Sequence, residues 1–356
     1  MVGLSSRSVK SFCEPPLFFE DLFFVIRNAK KFVYVEFYKV EGVVGVRLRD
    51  LLVRKAKEGV VVKVLVDYWG SSIPRNFFDE LLDAGGEVRF FRVFMFATNF
   101  FSYNNRRNHR KLVVVDDFCF IGSCNVSDHC KSWREFVVRI RDPVFSESMR
   151  SVFLTNFRIH SFFFHSAKKH LSPLRFGSFE VVRDVPSLRY QKIRNKHLYL
   201  INRAKERVVI ETPYFVPDTK TLIALIRAAR RGVDVSVIVP ERSDVRLVDI
   251  LTQSLFGVLH KRGVKIFLFG PGFSHAKVFL ADDFFGFGSS NFDYRSFRYQ
   301  YDLSLFGDDR VLHGLVDAHL RESFKSVEAF DFKKWRGRSL FRRLLEVMLE
   351  PFRRFF

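Results

Sequence analysis

The sequence predicts an α/β protein made of two tandem halves that repeat one plan. Three observations lead there. First, matching segments recur in the same order: Ala29–Tyr38 with Ala204–Phe215, Lys57–Asp67 with Arg230–Pro240, and Gly85–Phe91 with Arg262–Phe269. A duplication of this kind governs how every other feature is read. Second, the runs VVVKVLVD and VDVSVIVP are short, β-branched and almost continuously apolar, as strands covered on both faces are. Third, helix-period stretches such as TLIALIRAARR precede these runs and stop at a glycine, here Gly232. Strands alternating with helices imply a sandwich of helices around a mixed or largely parallel sheet.

Taken in order, the opening MVGLSSRSVKSFCEPP lacks the apolar core of a secretory leader. Each half then reads strand, helix, strand, helix, strand, and a strand pair. Eleven more residues separate Gly86 from His109 than separate Gly263 from His275, within RVFMFATNFFSYNNRRN. This aromatic insertion beside the strand pair is expected to wall a site. Residues 141–192 break the strand rhythm with Pro143, Pro173 and Pro186 and are expected to bridge the halves. The division predicted is residues 1–165 for the first half, 166–330 for the second and 331–356 for a tail.

In that tail Phe341, Leu344, Leu345, Met348, Phe352 and Phe355 follow helical spacing, flanked by Arg342, Arg343, Arg353 and Arg354, with Pro351 as a kink. A basic amphipathic helix of this kind suits an anionic membrane interface. No run reaches the roughly 18 apolar residues of a membrane span.

The strand pair of each half carries the chemistry. NHRKLVVVD contains His109, Lys111 and Asp116, and SHAKVFLAD contains His275, Lys277 and Asp282. On a strand, His109 and Lys111 share a face, as do His275 and Lys277. Asp116 and Asp282 fall where Asp-Asp begins a turn. A lone pair of this sort reads as surface decoration. Two copies in equivalent places of a duplicated fold read as one site across a pseudo-twofold interface.

Two histidines suit phosphoryl chemistry: one imidazole attacks phosphorus and the other protonates the leaving oxygen. The lysines stabilise charge on the remaining oxygens, so no metal or cofactor is called for. Gly-Ser-x-Asn follows each motif, placing Ser123 and Asn125, and Ser289 and Asn291, as hydrogen-bond donors to phosphate. Glu135 and Asp302 lie 26 and 27 residues beyond their histidines. Each can orient an imidazole or form an ordinary strand-end salt bridge.

These duplicated motifs resemble the phospholipase D superfamily, and NHRKLVVVD with ETPYFVPD (Glu211–Asp218) resembles its bacterial cardiolipin synthases, in a short form without an N-terminal transmembrane hairpin. The resemblance runs from about Phe24 to the end of the second half. It implies two tandem phospholipase D-like α/β/α sandwich halves related by pseudo-twofold symmetry, with the active site at their interface. It implies phosphatidyl transfer from phosphatidylglycerol to a second phospholipid, phosphatidylglycerol or phosphatidylethanolamine, through a phosphohistidine. It makes His109 the nucleophile and His275 the general acid and later base, with the reverse open by near-symmetry. Lys111, Lys277, Asn125 and Asn291 would hold the phosphate, and Asp116 and Asp282 would support the motifs. Two departures stand out. Asp117 and Asp283 occupy a place where glycine is common, and Ser274 precedes the second histidine where an apolar residue is commoner.

Bulk composition agrees with an anionic partner. The 356 residues carry 59 Lys and Arg against 39 Asp and Glu, a net +20, which draws the chain to a lipid surface or to nucleic acid. Nucleic acid is disfavoured because no separate binding module is visible and the Phe-rich basic tail suits lipid. The site also leaves open a hydrolytic phospholipase D, with water as acceptor, and a nuclease or phosphodiesterase. Cys13, Cys119, Cys124 and Cys130 lack the tight C-x-x-C spacing of a zinc site and read as free thiols of a reducing compartment. The expected place of action is the cytoplasmic face of the cell membrane, as a peripheral protein. Oligomeric state is not legible.

Overall fold

A computed structural model describes residues 8–71, 73–91, 106–159 and 171–355. The aromatic insertion before the first motif falls largely outside the described residues. The first half contains strands β1 (Val9–Phe12), β2 (Phe32–Phe37), β3 (Val61–Asp67), β4 (Glu87–Phe91), β5 (Arg107–Asn108), β6 (Leu112–Val115), β7 (Phe118–Gly122) and β8 (Val137–Arg141). The second contains β9 (Leu174–Phe176), β10 (Phe179–Asp184), β11 (Arg207–Glu211), β12 (Phe215–Val216), β13 (Asp234–Pro240), β14 (Lys265–Phe269), β15 (Val278–Ala281), β16 (Phe284–Gly288), β17 (Phe292–Asp293), β18 (Gln300–Gly307) and β19 (Val327–Ala329).

The first sheet runs β1-β8-β7-β6-β2-β3-β4 and the second β19-β14-β13-β11-β15-β16-β18-β10-β9. Read from opposite ends, the sequence β8-β7-β6-β2-β3-β4 matches β18-β16-β15-β11-β13-β14, so the duplication extends to topology. Both sheets are mixed: β2, β3 and β4 are parallel, while β6, β7 and β8 are antiparallel. That is why VVVKVLVD is apolar on both sides. On β6 the alternation is direct: Leu112 and Val114 join the core between the halves, and Val113 and Val115 join the core under the outer helices.

The central core is shared. It combines inner faces of both sheets with helices α4 (Pro143–Ile159) and α9 (Arg310–Phe324), through Phe145, Met149, Phe153, Leu312, Val316 and Leu320. The outer layer of the first half is α1 (Pro15–Arg27) and α2 (Gly42–Lys57), with α3 (Asp79–Asp83) beside β4. That of the second is α5 (Lys192–Arg203), α6 (Thr219–Arg230) and α7 (Arg246–Lys261). The bridge expected over residues 141–192 is α4 followed by β9 and β10, the latter already paired with β18 of the second sheet. Phe residues fill these cores; Phe120, Phe136, Phe153, Phe215, Phe285 and Phe306 are among those fully buried.

Asp116 and Asp282 close the two β-hairpins with φ of 47° and 50°. Aspartate tolerates this left-handed turn better than most residues. Their carboxylates also tie the turn to the start of the neighbouring central strand. Asp116 accepts the backbone N–H groups of Lys30, Lys31 and Phe32 at 2.7, 3.0 and 2.9 Å, and Asp282 accepts those of Lys205, Glu206 and Arg207 at 2.8, 2.9 and 3.0 Å. Neither lines the cavity between the motifs.

Candidate active site

Each motif leaves its own sheet to meet the other half. The Asn108 edge pairs with Tyr301 through β5 and β18, and Ser274 bridges to Arg134. The backbone N–H of His109 donates to the Tyr301 carbonyl at 3.0 Å, and that of His275 to the Arg134 carbonyl at 2.7 Å. The residue after each of these clasps is a buried carboxylate. Asp302, from the second half, lies 3.1 Å from His109 Nδ1, and Glu135, from the first half, lies 2.7 Å from His275 Nδ1. The orienting carboxylates therefore cross the interface: each half supplies the partner for the other half's histidine. A carboxylate at Nδ1 selects the tautomer that leaves Nε2 as the free ring nitrogen.

Both histidines line a cavity of about 420 Å³, together with Asn125 and Asn291. Lys111 Nζ donates to the His109 carbonyl at 2.8 Å and Lys277 Nζ to the His275 carbonyl at 2.7 Å. An ammonium group has three donors, so each lysine keeps capacity for an anion. The Oδ1 atoms of Asn125 and Asn291 are buried with no partner among the described residues. Two buried amide oxygens without donors, at equivalent places in the cavity wall, form a polar shell that a hydroxyl-bearing ligand completes, while the amide NH2 groups can donate to an anion.

Ser123 and Ser289, expected as phosphate donors, are not among the residues lining this cavity. Their hydroxyls donate instead to Glu135 and, at 2.6 Å, to Asp302 Oδ1. The reason is the glycine before each. A Cβ on Gly122 would meet the Phe136 carbonyl at 2.3 Å, and one on Gly288 the Leu303 carbonyl at 2.3 Å. Glycine brings the neighbouring strand, which carries the carboxylate, against the serine. The Gly-Ser element thus holds the carboxylates, while only Asn125 and Asn291 reach the cavity.

Burial sets the proton affinities. It pushes His109 well below the ordinary imidazole value, reinforced by the charges of Lys111 and Lys277. It lowers His275 too, but there Glu135 opposes the effect. Burial raises the Asp302 carboxyl to about 6. His109 is consequently the imidazole held more firmly neutral, and His275 the one better able to carry a proton. Burial lowers Lys111 to about 7, helped by the charge of Lys277, and lowers Lys277 to about 8. A lysine is charged below its pKa, so an anion held by this pair is expected to be held best well below pH 7 and less well as pH rises through 7 to 8. For a soluble phosphodiester, kcat/KM is expected to fall above that range by about tenfold per pH unit if one lysine charge is required and by about a hundredfold if both are. A profile flat to pH 9.5 would show that lysine charge is not limiting.

Sequence reasoning missed a supporting pair. Glu36 and Glu211 sit at equivalent buried points of β2 and β11. Glu36 accepts from Asn108 Nδ2 at 2.9 Å, and Glu211 from Ser274 Oγ at 2.6 Å. These bonds fix the residue before each histidine, and they give the unusual Ser274 a reason. Glu211 also meets His319 Nε2 at 3.1 Å, an ion pair that raises His319 to about 9 against the effect of burial. The readable signal was a carboxylate inside a strand otherwise apolar on both faces, present in both halves. Cys119, Cys124 and Cys130 are buried. Among the described residues no cluster of three or more His, Cys, Asp or Glu side chains has metal-binding geometry.

The comparisons with known proteins agree with this construction. The profile of the family described as "Cardiolipin synthase, PLD-like domain" matches residues 22–156 and 198–327. The chain is 32% identical to the major cardiolipin synthase ClsA of Bacillus subtilis, over 92% of this chain and 71% of that one. It is 30% identical to a cardiolipin synthase of Clostridium perfringens, over 93% and 73%. Among solved structures, the phosphatidylserine synthase of Haemophilus influenzae superposes with a TM-score of 0.77 at 14% identity, covering 99% of this chain and 94% of that one, a likeness of fold. With two halves matched separately and the paired motifs facing one another between them, the chain belongs to the cardiolipin synthase family of PLD-like domains.

Proposed function

We propose that this chain is a phosphatidyltransferase that makes cardiolipin. The crossed imidazole–carboxylate pairs, His109 with Asp302 and His275 with Glu135, are the observation that carries the reading. His109 Nε2 attacks the phosphorus of phosphatidylglycerol, and the bond to the headgroup glycerol breaks as His275 gives that oxygen its proton. Lys111, Lys277, Asn125 and Asn291 hold the non-bridging oxygens through this step. His275, now neutral, takes the proton of a second phospholipid's hydroxyl, which attacks phosphatidyl-His109 and releases cardiolipin. Two phosphatidylglycerols thus give one cardiolipin and one glycerol. The test is a product assay with phosphatidylglycerol vesicles, with and without phosphatidylethanolamine. Cardiolipin formation supports transfer, whereas phosphatidic acid alone means that water is the acceptor.

The tail supports action at a lipid surface. Residues after β19 form α10 (Phe332–Arg336) and α11 (Leu340–Leu349), and then a 3-10 turn from Glu350, where Pro351 stops the helix rather than kinking it. The helix faces are the reverse of a helix packed for water. Glu346 is buried and paired with Arg338 at 2.7 Å, while Phe341, Leu344, Val347 and Met348 are 69, 57, 71 and 59% exposed. Leu345, counted in the apolar stripe on spacing, is half-buried, and Val347 takes its place. Trp335 anchors the tail over Gly257 of α7 and donates to the Gln253 carbonyl at 2.8 Å. Leu349 packs on the cluster that includes Val248, a residue of the cavity wall. The apolar stripe is thereby carried on an element adjoining the site.

Because Trp335 packs against the core of the second half, substitution tests the tail better than deletion. Serine at Phe341, Leu344, Val347 and Met348 together is expected to weaken sedimentation with anionic vesicles by at least about 100-fold, since each such side chain contributes roughly 1.5–3 kcal/mol when buried. Unchanged sedimentation with an unchanged melting temperature would refute this. Among the described residues no helix is long and apolar enough to cross a membrane.

A further inference from the structure

The paired motifs are nearly symmetric, but their surroundings are not. Two residues before His275 stands Phe273, which packs on Trp133 at 4.7 Å between ring centres; Trp133 in turn lies 5.2 Å from the His275 ring. Two residues before His109 stands Arg107, whose guanidinium lies 5.5 Å above the ring of Trp69, a cavity residue. Twenty residues after each histidine stand His129 and Arg295. His129 is exposed and 3.6 Å from Glu41. Arg295 lines the cavity, and its Nε is buried without a partner. Among the described residues Arg295 forms no ion pair and donates no hydrogen bond, although the buried carboxylate of Asp293 is two residues away. Asp293 accepts the Ser296 N–H at 2.6 Å to cap helix α8 (Tyr294–Tyr299), and burial raises its carboxyl to about 6 despite the nearby Arg295 charge. The charge of Arg295 reaches His109, Tyr38 and Arg107, and it disfavours the protonated state of both His109 and Arg107. An unpaired guanidinium in a cavity wall, next to a second cation, is an incomplete site for an anion.

The transferred phosphate does not fill it. In the proposed transfer that group is held by Lys111, Lys277, Asn125 and Asn291. We propose that Arg295, with Arg107 beside it, forms a second phosphate subsite on the His109 side of the cavity, which binds the phosphodiester of the acceptor phospholipid. This rests on the transfer reading above. The chemistry gives the subsite its place: in the product one glycerol unit joins two phosphates, so an acceptor whose hydroxyl reaches phosphatidyl-His109 must hold its own phosphate one glycerol away. A guanidinium near His109 meets that requirement. Water and simple alcohols have no phosphate to offer, so the subsite raises the local concentration of the phospholipid hydroxyl over its competitors. Lys39 and His129 also line the cavity, but both lie against Glu41, at 2.9 and 3.6 Å, and Phe273 and Trp133 beside His275 carry no charge.

The test compares two acceptors in one reaction. Phosphatidylglycerol vesicles are supplied with dilute 1-butanol, and cardiolipin and phosphatidylbutanol are quantified for wild type, Arg295→Gln, Arg295→Lys and Arg107→Gln. The cardiolipin-to-phosphatidylbutanol ratio is expected to fall by about ten- to a hundredfold in Arg295→Gln, the range for losing a hydrogen bond to a charged group. It should fall less in Arg107→Gln and be partly restored in Arg295→Lys. The ratio is internal to each preparation, so reduced folding does not imitate the result. An unchanged ratio, whether both products persist or both fall together, overturns the subsite. So does loss of both products in Arg295→Gln and Arg295→Lys alike, which would place Arg295 on the donor phosphate. Failure of the transfer reading looks different: wild type itself would then make phosphatidic acid and no cardiolipin.

Discussion

Replacing His109 with alanine is expected to abolish cardiolipin formation and to abolish covalent labelling of the protein by a phosphatidyl donor. Replacing His275 is expected to be as severe for natural lipid but not for labelling. A nucleophile cannot be bypassed, whereas a general acid is needed only when the leaving group requires a proton. Positioned acid–base groups contribute about 10²–10⁴-fold. With a phosphatidyl donor that releases p-nitrophenolate, His275→Ala should still produce a burst of nitrophenol equal to the enzyme concentration, followed by a stalled phosphohistidine. His109→Ala should give no burst. The assignment is the one the family resemblance implies; burial and the two lysines lower both imidazoles, and Glu135 offsets part of that effect at His275. A burst in His109→Ala and none in His275→Ala would reverse the roles and leave the chemistry intact.

Glu135→Gln should reproduce much of the His275 defect without touching the second half of the chain. Glutamine keeps the shape and can still accept from Ser123, but it removes the negative charge 2.7 Å from Nδ1. The imidazolium that forms during proton transfer then loses its stabilising partner, and the favoured tautomer is no longer enforced. A fall in kcat of about 10³–10⁴-fold is expected for phosphatidylglycerol, by analogy with removing the carboxylate of a Ser-His-Asp triad. The loss should shrink at least about tenfold with the nitrophenyl donor, because that leaving group needs no acid. Equal losses with both donors would show that Glu135 acts by holding the fold rather than by orienting and charging His275.

Much of this architecture is written locally. VVVKVLVD and VDVSVIVP became β3 and β13 because a continuous β-branched run has one economical fate, a strand covered on both sides. Asp116 and Asp282 are placed by their turn chemistry. The family resemblance named both histidines and both asparagines that line the cavity, and both buried lysines that donate to the histidine carbonyls. What sequence could not convey is which copy serves which. Glu135 is nearest in sequence to His109, yet it holds His275, because pairing across a pseudo-twofold interface depends on how two sheets face each other. The same limit explains Ser123 and Ser289. Their spacing fits a phosphate ligand equally well, and only the close approach of the neighbouring strand at Gly122 and Gly288 directs the hydroxyls to the carboxylates. In the tail, helical spacing identified most of the stripe but not its edge. Leu345 and Val347 differ by 200° on the helix, and the burial of Glu346 by Arg338 decides which of them turns outward.

The crossing of the carboxylates has a consequence for how the protein is made. A ribosome releases the first half into the cell well before the second. That nascent half carries His109 and Lys111 but no Asp302 to orient the ring, and its own Glu135 waits for a histidine not yet translated. An early fragment, a prematurely terminated product or a proteolytic half is therefore expected to lack the oriented histidine pair on which the proposed transfer depends. On the proposed mechanism, competence is expected only when the chain is whole and the shared core has closed, which ties activity to the order of assembly.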